Sequence, residues 1–404
     1  MRKDVPLLFT TRILRMFGYG FLSVVIALYL AQRGLSEGEI GLLLTLTLAG
    51  DAVITLWITT SADTFGRRRM LVVGAALMIL SGVIFSLTGN FILLIVTAII
   101  GVLSPSGNEI GPFLSIEQAA LSQLISDNKR TQTFAWYNLA GSFATATGAL
   151  AGGGLSQLLQ GAGYSPLNSY RAVVLGYALI GVILANLFLL LSQAVEAARV
   201  TEEAPPRRLL GLHRSRGVIF RLSSLFAIDA FAGGLVVQSM VAYWFNIRFG
   251  VQPAVLGSIF FGANILAGIS ALSAARIARR IGLINTMVFT HIPSNILLIL
   301  VPLMPTLPLA ITVLLLRFSI SQMDVPTRQS YTMAVVSPDE RSAAMGVTSI
   351  ARSVGGTLSP AITGQFLAIP SLLGAPFIIA GGMKIIYDLL VWRGFRRVKP
   401  PEEK

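Results

Sequence analysis

The sequence predicts an all-α polytopic membrane protein of about twelve transmembrane helices in two pseudo-symmetric six-helix bundles. Composition, span-length apolar runs and an internal repeat carry that prediction. Of the 404 residues, 54% are hydrophobic and only 12% are charged. Soluble domains carry about 25% charged residues, so water cannot be the main solvent of this chain.

A membrane-spanning helix needs about 20 mostly apolar residues. Runs of that length lie near 9–31, 38–60, 70–89, 91–122, 132–158 and 171–195, and then near 217–246, 254–274, 282–303, 306–335, 343–368 and 371–393. The fourth and tenth are long and contain Pro112 and Pro326, which predicts kinks or tilt. The first is a retained span and not a cleaved leader, because no small-x-small site follows Phe21 to Leu30.

Charge placement orients the spans. Arg67, Arg68, Arg69, Lys129, Arg130, Arg207, Arg208, Arg276, Arg279, Arg280, Arg341 and Arg393 fall in alternate connections; the opposite ones hold little beyond Arg33, Arg171 and Arg248. Basic connections stay in the cytoplasm, so both termini are expected there. The net charge of +13 therefore reads as topology and contact with anionic lipid, with no nucleic-acid partner. There is no cysteine, and His213 and His291 are too isolated for a metal cluster, so no metal or cofactor is expected.

The segment 196–216, with Glu202-Glu203-Ala204-Pro205-Pro206-Arg207-Arg208, reads as a linker. It divides an N-terminal six-helix bundle, 1–195, from a C-terminal bundle with a short tail, 217–404. The halves repeat: Ser126-Asp127-Asn128-Lys129-Arg130 matches Ser337-Pro338-Asp339-Glu340-Arg341 at an offset of 211. That offset sets Glu117-Gln118 opposite Arg328-Gln329, whereas Gly34 and Gly41 match Gly250 and Gly257 at 216. Ala62-Asp63-Thr64-Phe65-Gly66-Arg67-Arg68-Arg69 has a worn copy at Ala275–Arg280, which retains arginines but neither the Asp nor the Gly. Parallel six-span repeats are a transporter architecture.

Thr59-Thr60-Ser61-Ala62-Asp63-Thr64-Phe65-Gly66-Arg67-Arg68 resembles the cytoplasmic signature G-x-L-A-D-R-x-G-R-R of the major facilitator superfamily. Ala62, Asp63, Gly66, Arg67 and Arg68 match, and Thr59, Ser61 and Thr64 depart from the pattern. The resemblance covers essentially the whole chain. It implies the superfamily's fold and a secondary transporter, with no enzymatic activity. It also implies that Asp63 meets the start of span eleven and that Arg67 pairs with an acid near the cytoplasmic end of span four, Glu117 or Asp127. Asp63, Gly66, Arg67 and Arg68 then form a one-sided gating latch that holds the outward-open state. Gly148-Ala149-Leu150-Ala151-Gly152-Gly153 partly matches the G-P-x-x-G-G element of the family's drug/proton antiporters; small residues that let helices pack closely give the same pattern.

Ionisable residues inside the membrane are functional candidates by default. Coupling or cavity candidates are Asp51, Glu109, Asp229, Asp324, Arg15, Arg317 and Arg352, and gating candidates are Glu117 and Arg328. Asp229, Glu109 and Asp324 rank first as proton carriers, since carboxyls in apolar surroundings can exchange protons near neutral pH. Glu117 and Arg328, opposed under the repeat, suggest a salt bridge near the two-fold axis. Lys384 and Asp388, four residues apart, suggest a pair along one helix.

Proton-coupled export of small organic compounds by alternating access is the first functional expectation. Uptake or facilitated transport of an organic anion is the alternative, motivated by Arg15, Arg317, Arg328 and Arg352, because guanidinium suits carboxylate and phosphate. That alternative dissolves if internal acids consume every arginine. A transporter-derived receptor is the remote third reading. The expected partners are a small solute, protons and the bilayer, for a monomer in the plasma or inner membrane.

Overall fold

The computed structural model describes residues 3–107, 113–196, 214–336 and 340–396, without the side chains of 60, 63, 64, 127–132, 135 and 341–343. Among the described residues the regular structure is all helical, and the twelve expected spans are built from seventeen α-helices. Span one is α1 (Asp4–Ser23) and α2 (Ile26–Gln32), bent by 41°. Spans two and three are α3 (Glu37–Phe65) and α4 (Arg67–Leu87). Span four is α5 (Phe91–Ile100) and α6 (Phe113–Leu124); α7 (Asp127–Gly161) and α8 (Pro166–Leu189) follow.

The second set begins with α9 (Arg216–Gly234) and α10 (Gln238–Phe249), then α11 (Pro253–Ile281) and α12 (Leu283–Leu300). Span ten is α13 (Leu307–Ile320) and α14 (Asp324–Ala334). Span eleven is α15 (Arg341–Thr357) and α16 (Ser359–Leu367), and α17 (Ala375–Phe395) is span twelve. Among the described residues, eight segments are long and apolar enough to cross a membrane, nine with the bent α1–α2 pair. The others are span four, whose apolar helix is only Phe91–Ile100, α7, and α15–α16, which are rich in Gly, Ser and Thr.

Local chemistry explains where helices start and stop. Ser36 and Glu39 form a reciprocal capping box on α3, and the Asn90 side chain accepts from the first amides of α5. Gly34 and Gly250, matched by the repeat, have φ of +87° and +65° and close α2 and α10. Spans four and ten break more sharply than their prolines predict. Helix α5 ends before Gly101, and α13 is separated from α14 by Ser321–Met323.

The worn copy of the signature turn sits slightly later than the sequence suggests. Gly66 (φ +101°) turns the chain between α3 and α4; Gly282 (φ +86°), 216 residues on, does the same between α11 and α12. The glycine is therefore retained, and Asp63 is replaced by Arg279.

Two compact units form by contact: Met1–Val200 with Val237–Asn264, and Thr201–Val236 with Ile265–Lys404. In the first, α1 packs on α7 and α8, and α4 packs on α8; in the second, α9 packs on α15 and α17, and α12 packs on α17. The expected linker runs almost wholly outside the described residues. In the first unit Gly148 and Gly152 lie against the backbone oxygens of Phe17 and Phe21, where an added Cβ would fall 2.1 Å from each, and Gly153 lies equally close to Pro253 O. Close helix packing thus accounts for the glycines that resemble the antiporter element. Tyr243 and Trp244 are buried rather than facing lipid, and the Tyr243 hydroxyl donates to Glu37 Oε1 at 3.0 Å.

Candidate functional site

Each unit holds a buried ion-pair cluster that joins a broken span to its neighbours. In the first unit Arg15 of α1 donates twice to Glu117 of α6, at 2.7 Å to each carboxylate oxygen. Both side chains are fully buried. Thr11 donates to Glu117 Oε1 at 3.0 Å, and the Tyr137 hydroxyl donates to Oε2. Arg12 braces the same corner through the Tyr137 carbonyl at 2.7 Å. Four donor hydrogens on one carboxylate complete its coordination, which a buried charge in a membrane protein needs.

In the second unit Asp229 of α9 is the hub. Lys384 of α17 donates to its Oδ1 at 2.5 Å. Arg352 of α15 and Arg328 of α14 donate to its Oδ2 at 2.8 and 3.2 Å. Arg328 also reaches Asp324 Oδ2, one helical turn away, at 2.8 Å. Three cations meet two carboxylates, so the cluster carries a formal surplus of one positive charge. Arg352 is its accessible member, with a side chain 34% exposed; the other four are nearly dry.

The two clusters are counterparts of opposite polarity. In one, a base on the first span binds an acid on the second half of span four. In the other, an acid on the seventh span binds a base on the second half of span ten. Glu117 and Arg328, set opposite each other by the repeat, are each paired inside their own unit. The repeat aligned them correctly, but their partners lie 102 and 99 residues away and no local pattern names them. The apolar setting expected for Asp229 is likewise replaced by three cations.

Lys384 faces Asp229 and not Asp388. Asp388 is instead held by His291 Nδ1 at 2.9 Å and Asn295 Nδ2 at 3.1 Å, and is fully buried. The signal that could have found Lys384 and His291 was present, since each is ionisable and lies within an apolar run. Asp51 lies half-buried on α3, and Glu109 lies outside the described residues. The Arg317 guanidinium lies over the Phe318 ring at 4.9 Å.

At the signature turn, the Asp63 and Asp127 side chains lie outside the described residues. Glu196 supplies an acid that the sequence did not suggest. Its carboxylate accepts from the backbone N–H of Arg67 at 2.6 Å and of Arg68 at 3.3 Å, which caps α4. The Arg67 side chain donates to Gln123 Oε1 at 3.0 Å, and that of Arg68 to the Leu191 carbonyl at 3.3 Å. Among the described residues no group of acids and histidines could hold a metal ion.

A helical repeat with broken spans and buried charges between them defines a multi-pass membrane transporter. The sequence profile of the Major Facilitator Superfamily matches residues 8–360, and the chain belongs to that superfamily. The uncharacterized membrane protein YJR124C of Saccharomyces cerevisiae is 34% identical over 418 aligned residues, covering 96% of this chain and 93% of that protein. Similar solved structures include a D-xylose–proton symporter, with a TM-score of 0.75 and 14% identity, covering 96% of this chain and 97% of the other. A bacterial homologue of the human lysosomal transporter Spinster, in an inward-facing and occupied conformation, has a TM-score of 0.74 and 17% identity over 98% and 97%. At these identities the structures establish the fold.

Proposed function

We propose that this chain moves a small organic anion across a cell membrane by alternating access. The observation that carries the reading is the Asp229 cluster, in which three cations share two carboxylates. An anion that approaches Arg352 competes with Asp229 for its guanidinium, and so can loosen the ties between α9, α14, α15 and α17. Ion-pair exchange of this kind changes which helices are held together without covalent chemistry. The halves 1–195 and 217–404, joined by 196–216, are the rocking bodies of this reading, in a plasma or inner membrane with both termini in the cytoplasm.

Proton-coupled export rested on carboxyls in apolar surroundings, and the cations at Asp229 and Asp324 remove that support at both residues. A proton as coupling ion is favoured instead by the buried His291–Asp388 contact, a hydrogen bond whose proton either partner can carry.

The test is exchange of labelled benzoate or succinate in vesicles containing the purified protein. Arg352→Gln is expected to slow exchange about tenfold or more while insertion and thermal unfolding stay close to wild type. Exchange at the wild-type rate in that variant would remove Arg352 and the cluster from the transport path.

A further inference from the structure

The break in span ten presents two buried donors that nothing described accepts. Arg317 lies in the last turn of α13, near the middle of its span, and its Nε is buried without a hydrogen-bond partner among the described residues. Ser321 lies one helical turn later, is 4% exposed, and its Oγ is likewise without a partner. The four-residue spacing sets both on one side of the chain as α13 gives way to the break. On the following residue, the Gln322 N–H is held by Ser270 Oγ of α11 at 3.2 Å, so the broken segment is braced by its neighbour.

The Arg317 guanidinium has no carboxylate bonded to it: the Phe318 ring lies against it and Asp324 and Asp229 act on it at longer range, so its buried Nε stays unsatisfied, which is costly. The other three arginines that motivated an anion reading are all consumed: Arg15 by Glu117, and Arg328 and Arg352 by Asp229. Arg317 is the one whose Nε no internal acid hydrogen-bonds among the described residues. Interrupted helices near the middle of a membrane are where transporters of this architecture place substrate groups. Guanidinium with an adjacent hydroxyl is a donor set matched to the oxygens of a carboxylate or phosphate.

We propose that Arg317 and Ser321 form the docking point for the oxyanion head of the transported solute. The Asp229 cluster, in this reading, senses the added charge and is not the anchor. The inference rests on the anion reading given above and adds its recognition residues.

The experiment is calorimetric titration of the full-length protein in nanodiscs with benzoate, succinate and inorganic phosphate, paired with thermal unfolding. Wild type binds at least one of the three. Arg317→Gln weakens that binding about tenfold or more, Arg317→Lys weakens it less because the charge stays, and Ser321→Ala weakens it a few-fold. The midpoint of unfolding in Arg317→Gln stays level or rises, since the substitution removes a buried donor that has no partner. A purely structural arginine would give the reverse pattern, a lower midpoint with binding intact, and that result overturns the proposal. If Arg317→Gln does not fold, Ser321→Ala decides, and wild-type affinity there overturns it. Failure of wild type to bind any of the three removes the anion reading and this inference together. Binding that Arg317→Gln leaves unchanged removes the inference alone.

Discussion

Glu117 shows how a single side chain can be placed correctly in sequence while its bonding partners stay hidden. Its position inside an apolar run marked it as a functional candidate, and the repeat paired it with Arg328. The structure spends it on Arg15, Thr11 and Tyr137, all within one unit. A dry, fully coordinated pair of this kind holds its helices together, and its removal should show as lost stability. Arg15→Met alone is expected to cost about 3–5 kcal/mol, because it strands the Glu117 charge. The double variant Arg15→Met with Glu117→Leu should recover more than half of that loss. Unfolding in detergent, followed by tryptophan fluorescence, checks the cycle; a double variant as unstable as the single one would mean that the carboxylate was not the cause. Lys384 and His291 were underestimated for the converse reason. Their partners Asp229 and Asp388 lie 155 and 97 residues away, beyond any local spacing rule.

Helices were the most legible part of the sequence. Every apolar run became one helix or two consecutive ones, and the matched glycines Gly34 and Gly250 close helices as a repeat requires. What spacing could not show was how far the chain unwinds at the breaks, because proline marks where a helix is weakened and not how the freed backbone is held. It also could not show what steadies the signature turn. Glu196 lies 129 residues from the Arg67 amide it binds, so it could be found only after folding. Glu196→Ala removes the cap of α4 and should cost about 1 kcal/mol. Hydrogen exchange is the fitting measurement, since a cap holds one end of one helix. Faster exchange confined to the amides of Arg67 to Met70 is expected, and unchanged exchange there would show that the carboxylate is not the cap.

The chain as a unit is a duplicated six-span bundle whose copies have kept their packing and exchanged their polarity. First-span and fifth-span helices of each copy still pack together, α1 with α7 and α9 with α15. The buried charges have diverged, to a balanced pair in one copy and a cationic network in the other. In the proposed reading the second copy is the one that handles a charged solute, and the sequence could supply only the list of charges from which it was built. The decisive measurement is solute counterflow into vesicles containing the purified protein, over a panel of organic anions, organic cations and neutral compounds of similar size. Accumulation of at least one anion, with the cations and neutral compounds excluded, is the result expected of a superfamily member with this cationic network. Accumulation of cations or neutral compounds alone, or binding of an anion with no flux of any solute, would contradict it.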